Sequence, residues 1–266
     1  HSLIINVYGQ YITYSPYTRY GIGDIYFDTP GFLKSLGGSS TAFRQNNKIN
    51  YSNPASYSEQ DTLSFIFNFD FDINNQEFKT NDNNKISYKN FNISGIAIGF
   101  PITKGLVLST GIVPYSKVGY NLLYEGTFEN NEIYNQYFEG KGGINRLYIG
   151  TGLALNKYLS LGCNASYLFG SIYHNSRALV PPTDGSALTI YKDEVWHSGW
   201  SYNAGTQIII PIKNTKFICG ATYEFKSNIN YEKSTYIFSE YIESADSISY
   251  IENGKIKIPQ KYSLGL

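Results

Sequence analysis

The sequence alternates strictly in one stretch, Leu63-Ser64-Phe65-Ile66-Phe67-Asn68-Phe69-Asp70-Phe71, where every odd position holds Leu or Phe. The even positions between them hold Ser, Ile, Asn and Asp. Successive side chains of a β-strand point to opposite faces, so the odd side chains all share one face. The stretch therefore predicts a strand with one strongly apolar face.

Three later hairpins repeat this pattern, and each has a short turn. The apolar residues again occupy alternate positions, and the opposite face is often Gly, Ser, Asn or Thr, as in the crowded, polar interior of a barrel. The hairpins span residues 96–112, 147–169 and 202–225, with turns at 101–104, 156–157 and 213–215.

The connections between the hairpins are long and polar, at residues 72–87, 120–143, 174–196 and 229–250. Bacterial outer-membrane barrels alternate short periplasmic turns with long extracellular loops in this way. The pattern predicts an outer-membrane protein with a periplasmic N-terminus and extracellular long loops. A soluble β-sandwich or a β-helix is the alternative.

About nine strands are expected, near residues 61–72, 88–100, 105–119, 144–155, 158–173, 195–211, 216–228, 248–258 and 262 onward. Pro259 to Lys261 is interpreted as a turn, followed by a strand that has only begun at Tyr262. Single-chain bacterial barrels usually have even strand counts, and lipid does not tolerate an open edge. We therefore expect further strands in the natural protein.

The composition agrees with a membrane barrel. Charged residues make up 16% of the chain and aromatic residues 17%, including 26 tyrosines. Soluble domains carry about 25% charged residues, whereas barrels have a lipid-facing surface and aromatic belts. The formal net charge of zero gives no reason to expect nucleic acid as a partner, because phosphate binding needs a basic surface.

Three regions are expected along the chain. Residues 1–10 resemble the remnant of a signal peptide, because Leu3 to Val7 are largely apolar. Residues 11–60 do not alternate and are rich in Gly and Pro, so they are expected to form a plug, or hatch, inside the barrel; a periplasmic tail is the alternative. Residues 61–266 are expected to form the barrel.

Several motifs carry a family resemblance. In the N-terminal segment they are Tyr14-Ser15-Pro16-Tyr17-Thr18-Arg19-Tyr20-Gly21-Ile22-Gly23-Asp24, Leu36-Gly37-Gly38-Ser39 and Asn50-Tyr51-Ser52-Asn53-Pro54-Ala55-Ser56-Tyr57. Later motifs are Phe100-Pro101-Ile102-Thr103, Pro114-Tyr115-Ser116-Lys117-Val118-Gly119-Tyr120 and Pro259-Gln260-Lys261-Tyr262-Ser263-Leu264-Gly265. Together they resemble the outer-membrane long-chain fatty-acid transporter family (FadL/TodX type) in its Bacteroidetes-like form.

That resemblance implies a fourteen-stranded barrel with an N-terminal hatch and passive uptake of hydrophobic compounds such as long-chain fatty acids. The implied hatch motif comprises Gly37, Gly38, Asn53, Pro54 and Ala55. A kink in the third strand, at Gly111 and Pro114, would form a lateral opening. Proline lacks the N–H of a ladder bond, so Pro114 alternatively marks only the end of the strand's membrane part.

No catalytic constellation is evident, so the chain is not expected to be an enzyme, and neither a cofactor nor a metal is expected. The expected partners are outer-membrane lipid and a hydrophobic small-molecule ligand, whose binding residues the sequence does not identify. Two further functions stay open: a same-fold adaptor or shuttle that binds secretion-system proteins, and a surface-binding barrel.

Overall fold

The structure is a computed structural model that describes residues 13–26, 29–79, 85–127, 133–179, 189–213, 215–239 and 248–266. These residues form one antiparallel β-sheet with very little helix. The predicted antiparallel all-β class is therefore confirmed. The expected signal-peptide remnant at residues 1–10 lies outside the described residues.

Eleven strands lie within the described ranges. They are β1 (Asp24–Ile25), β2 (Ile66–Lys79), β3 (Lys85–Thr103), β4 (Leu106–Thr127), β5 (Ile133–Ala154), β6 (Leu159–Leu179), β7 (Thr189–Ile212), β8 (Thr215–Glu224), β9 (Ser227–Ser239), β10 (Ile248–Ile258) and β11 (Lys261–Gly265). Before β2, the chain also forms helix α1 (Gly31–Lys34) and two 3-10 helices, Pro16–Arg19 and Pro54–Glu59.

The sheet is a meander that curls into a half-barrel. Strands β2 to β7 pair in chain order, each antiparallel to the next. The next row is divided, since β8 pairs with one half of β7 and β9 with the other half. The last described row is divided in the same way, because β10 pairs with β9 and β11 with β8.

The nine predicted strand segments are all present, but they occupy eight rows. The turn predicted at Pro259 to Lys261 is wrong. Ile258 pairs with Ser227 and Lys261 pairs with Glu224, so the chain keeps its direction across the break. Proline interrupts the ladder here without reversing the chain, because it has no N–H to donate.

The long predicted connections are mostly strand. For example, β4 extends to Thr127 and β5 begins at Ile133, inside the predicted loop 120–143. Polar residues in these extensions pair across strands. Asp193 accepts hydrogen bonds from Thr235 Oγ1 at 2.6 Å and forms an ion pair with Lys233 at 2.9 Å. Such cross-strand pairs stabilise a sheet that is polar on both faces. Strands of this kind show no alternation of apolar and polar residues, so the sequence pattern did not predict them.

The outer face of the sheet is apolar and exposed. In β2 the side chain of Phe67 is 57% exposed, whereas that of Asn68 is 8% exposed. A soluble protein buries its apolar side chains and exposes its polar ones, and the opposite arrangement recurs along this sheet. Further exposed apolar side chains include Phe69, Phe71, Phe91, Ile93, Leu147, Ile149, Leu161, Trp200, Ile208 and Ile210.

The described residues between 13 and 60, which we call the N-terminal segment, cover the inner face of the sheet. Ile49, Tyr51 and Tyr57 from this segment form a buried cluster with side chains of β2 to β5, including Val113 and Tyr148. The apolar core therefore lies between the N-terminal segment and the concave face of the sheet.

Candidate functional site

A seam divides the sheet between β3 and β4. The two strands pair from Thr103↔Leu106 only as far as Ile96↔Ile112. Beyond that point, residues 85–95 of β3 pair with β2, and residues 113–127 of β4 pair with β5. The seam runs beside eleven residues of β3, which at about 3.3 Å per residue is roughly 35 Å.

Two bulges lie where the strands part. The β2–β3 register shifts between Asp70 and Phe71, and the β4–β5 register shifts between Pro114 and Ser116. A bulge bends its strand and increases the local twist. Because both strands bend next to the last β3–β4 pair, their outer parts diverge.

Residues 13–26 fill part of the seam from the side of β4. Strand β1 adds to β4 through the pairs Asp24↔Lys117 and Ile25↔Ser116. The backbone N–H of Tyr26 donates to the carbonyl of Tyr115 at 2.8 Å. On the other side of the seam, the ring of Tyr14 stacks on that of Tyr88, with 4.1 Å between centroids. This segment therefore links two strands that no longer pair with each other.

A charged cluster joins the N-terminal segment to strands β2 and β4. Lys34 Nζ donates to both carboxylate oxygens of Asp72 on β2, at 2.8 and 2.6 Å, and to the hydroxyl of Tyr26. Two ammonium groups approach the Tyr26 ring, with Lys34 Nζ and Lys117 Nζ each 4.1 Å from its centroid. Burial, and secondarily the nearby Lys117 ammonium, lower the pKa of Lys34 to about 8.

The Lys34–Asp72 pair gives a testable prediction. Replacing Asp72 with Asn leaves two partly buried ammonium groups without this counter-charge, and we expect the N-terminal segment to dock about 1–2 kcal/mol less tightly. Trypsin cleavage at Arg44, whose side chain is 5% exposed, reports the undocked fraction.

The matched control for this variant is Glu77→Gln on the same strand, which removes the exposed Lys85–Glu77 pair. An exposed pair contributes little, so cleavage at Arg44 is expected to stay near the native rate. Equal cleavage of Asp72→Asn and Glu77→Gln would contradict a role of the Lys34–Asp72 pair in docking.

The second 3-10 helix docks on a floor of glycines. Gly152, Gly162 and Gly205 are direct register partners on β5, β6 and β7. A Cβ atom at Gly162 would overlap the Pro54–Ala55 peptide, and one at Gly152 would lie 2.6 Å from the Pro54 carbonyl oxygen. The backbone of the helix thus touches the backbone of the sheet.

Asn53 fixes the start of this helix and is fully buried. Its Oδ1 accepts from the N–H of Ala55 at 3.1 Å, as an N-cap does. Its Nδ2 donates to the carbonyls of Thr41, at 2.6 Å, and Thr206, at 3.3 Å. The side chain therefore joins two parts of the N-terminal segment to β7.

The structure separates the residues of the expected hatch motif. Asn53, Pro54 and Ala55 lie at the contact with the sheet. Gly37 and Gly38 lie in the exposed turn after α1, with φ values of 68° and 79°. There the N–H of Gly38 donates to the carbonyl of Leu33 at 3.0 Å and ends the helix.

The two residues of the expected kink lie beside the seam. Gly111 packs against the backbone of Ala97 on β3 and the ring of Tyr148 on β5. Pro114 lies at the bulge of β4, and the strand continues past it to Thr127. The strand's continuation is compatible with both expectations, a kink at a lateral opening and the end of the strand's membrane part, so both stay predictions.

Several residues of the site were not predicted from the sequence. The charged cluster joins residues far apart in the chain, and no local pattern indicates it. The sequence pattern could have indicated the glycine floor, because Gly152, Gly162 and Gly205 fall on the polar face of three successive predicted strands.

Two further searches cover the described residues only. They contain no group of three or more His, Cys, Asp or Glu side chains placed to hold a metal ion. Within the same ranges, no helix combines the length and apolar character that crossing a bilayer requires.

A family model described as BamG matches residues 1–266, so the chain belongs to the BamG family. No curated protein and no solved structure matches it.

The family membership corrects the expectations drawn from short motifs. The resemblance to the FadL/TodX transporters is wrong, and with it the function in fatty-acid or other hydrophobic-compound transport. The two other expected functions, a secretion-system adaptor or shuttle and a surface-binding barrel, are not matched either. The implied fourteen strands rested on the same resemblance.

Proposed function

We propose that this BamG-family chain is a subunit of the BAM complex, the machinery that assembles β-barrel proteins in the bacterial outer membrane. The observation that carries the proposal is the family match over all 266 residues. The expected partners are accordingly proteins of this complex and the barrel proteins it assembles, which we call clients.

The exposed outer face supports a place in the membrane. Soluble monomers rarely expose contiguous apolar patches larger than a few hundred Å². Here the apolar side chains of β2, β3, β5, β6 and β7 point outward, while Ser109, Asn164, Ser201 and Gln207 are buried on the inner face. An apolar exterior and a polar interior match a sheet that faces lipid.

The proposed orientation places the short turns in the periplasm. The turn at Lys104–Gly105 is short, whereas the opposite ends of the hairpins carry the long strand extensions. Strand β2 begins at Ile66, which pairs with Gly99 near the short-turn end. The N-terminal segment therefore enters the sheet from the periplasmic side, and the long hairpins extend outside the cell.

The N-terminal segment acts in this proposal as an internal plug. It covers the concave face, and its docking depends on Asn53 and the glycine floor. In the complex, it sets whether the seam beside β4 is filled or open.

Co-purification tests the proposal. An affinity-tagged copy expressed in the native bacterium at its normal level, and extracted in mild detergent, is expected to carry the central barrel subunit of the BAM complex in near-equal amount. A tagged barrel protein of unrelated function, extracted in parallel, serves as the control. Absence of every BAM subunit from the tagged sample, even after chemical cross-linking in cells, would contradict the proposal.

A further inference from the structure

We propose that the seam between β3 and β4 is an acceptor site for an extended strand of a client protein, with residues 13–26 as its displaceable occupant. This proposal rests on the proposed function and adds the site at which the client binds.

The edge of β4 already accepts a strand from the chain itself. Asp24 and Ile25 pair with it in antiparallel register, and the backbone bonds of Tyr26 and Ser15 extend the contact to Tyr115 and Gly119. Main-chain hydrogen bonding to a strand edge does not depend on sequence, so a different extended segment can occupy the same edge.

The present occupant uses only part of that edge. Strand β1 has two residues, and the chain before it turns at Gly21 and Gly23, where φ is 62° and 80°. Residues 120–127 of β4 have β5 as their ladder partner on one side, and no described ladder joins their other side to β3. A continuous strand along residues 115–127 would form more ladder bonds than the irregular segment does.

The walls of the seam select a strand that is apolar on one face and polar on the other. On β3, Phe91 and Ile93 point outward and are exposed, whereas Asn90 is buried on the inner face. On β4, Tyr120 is buried on the inner face and bonds His174 at 2.7 Å. A strand that continues both faces has the alternation of an outer-membrane barrel strand, which is about 9–11 residues long.

A cross-link that locks residues 13–26 in place provides the test. Ile25 and Ser116 are register partners, so Ile25→Cys with Ser116→Cys can form a disulfide across β1 and β4. The matched control lock is Ile149→Cys with Ala165→Cys, a register pair on β5 and β6 away from the seam. Both are made in the full chain with Cys163→Ser and Cys219→Ser.

The probe is a radiolabelled, urea-unfolded eight-stranded outer-membrane barrel protein of the same bacterium, added to membranes that contain the native complex. A photo-reactive side chain replaces Leu123, in the part of β4 that no described ladder joins to β3, and in separate variants it replaces Phe217 on the outer face or Tyr250 on β10. We expect cross-linking at position 123 to fall at least about tenfold when the seam lock is oxidised, and to recover on reduction. The control lock is expected to change it less than about twofold.

Three results would overturn the proposal, and they separate its failure from that of the proposed function. Client cross-links at positions 217 or 250 but not at 123 would leave the assembly function in place and remove the seam as its site. Equal client cross-linking at position 123 with the seam disulfide reduced and oxidised would likewise remove the seam as the site and leave the assembly function in place. A cross-link at 123 to lipid or to a second copy of this chain, with no client at any position, would also overturn the seam as a client site, whereas the proposed function fails only if the co-purified sample lacks every BAM subunit.

Discussion

Replacing Asn53 with Asp is expected to weaken the docking of the N-terminal segment strongly. The change is isosteric, but it sets a carboxylate oxygen against the carbonyls of Thr41 and Thr206, where Nδ2 now donates. The position is fully buried, so water does not compensate the charge. We expect a cost of about 3–5 kcal/mol in docking free energy, since an unpaired buried charge is that destabilising.

Trypsin cleavage at Arg44 measures this loss, because Arg44 is paired with Glu59 at 2.7 Å in the docked state. A loss of about 3 kcal/mol raises the cleavage rate roughly 100-fold when opening is fast and reversible. Asn53→Ala loses the same bonds without adding a charge and is expected to cost about 2 kcal/mol. Asn47→Asp, at an exposed position of the same segment, is the control and should leave cleavage unchanged. If Asn53→Asp raised the cleavage rate no more than Asn53→Ala, the contacts of Nδ2 with the carbonyls of Thr41 and Thr206 would not contribute to docking.

Replacing Gly162 with Val is expected to have the next largest effect. The added side chain overlaps the Pro54–Ala55 peptide, and backbone atoms cannot move aside as a flexible side chain does. Overpacking of this kind costs typically about 1–3 kcal/mol, and the rigid contact places Gly162→Val near the upper end. The sheet itself should persist, because strand positions favour Val.

The control for Gly162→Val is its neighbour, Cys163→Val, which adds bulk on the opposite, exposed face of the same strand. Circular dichroism should show native strand content for both variants, while trypsin cleavage at Arg44 rises only for Gly162→Val. Unchanged cleavage in Gly162→Val would mean that the helix at residues 54–59 does not rest on the glycine floor.

The sheet was largely predictable because alternation is a local property. The pattern from Phe65 to Phe71 indicates which side chains share a face, and β2 places Phe67, Phe69 and Phe71 outward. The strand extensions were not predictable in this way. In residues 120–127 and 229–239 both faces are largely polar or aromatic, so hydropathy does not alternate there.

The seam was not predictable from sequence, because it depends on register between strands. Pro114 and Gly111 marked an irregular place in β4, and the structure puts a bulge there. The matching bulge in β3 and the insertion of residues 13–26 involve no motif that the sequence displays. Likewise, Lys34, Asp72 and Lys117 meet only because the N-terminal segment crosses the inner face of the sheet.

The function was mispredicted for a related reason. Short Gly- and Pro-containing motifs such as Asn53-Pro54-Ala55 report how a segment packs on a sheet, and here they fit a helix onto a glycine floor. That packing is compatible with more than one activity, so the motifs do not identify a transporter. A match over residues 1–266 integrates the whole sequence and points to outer-membrane protein assembly.

The most direct test of the central claim is the rate at which newly made outer-membrane barrel proteins become folded when this protein is depleted from its native bacterium. In a pulse-chase experiment, the folded, protease-resistant fraction of several unrelated barrel proteins is expected to fall at least about fivefold before growth slows. Re-expression of the native chain should restore it, and re-expression of Asn53→Asp should restore it less. Unchanged folding of all barrel proteins after complete depletion would contradict a role in outer-membrane protein assembly.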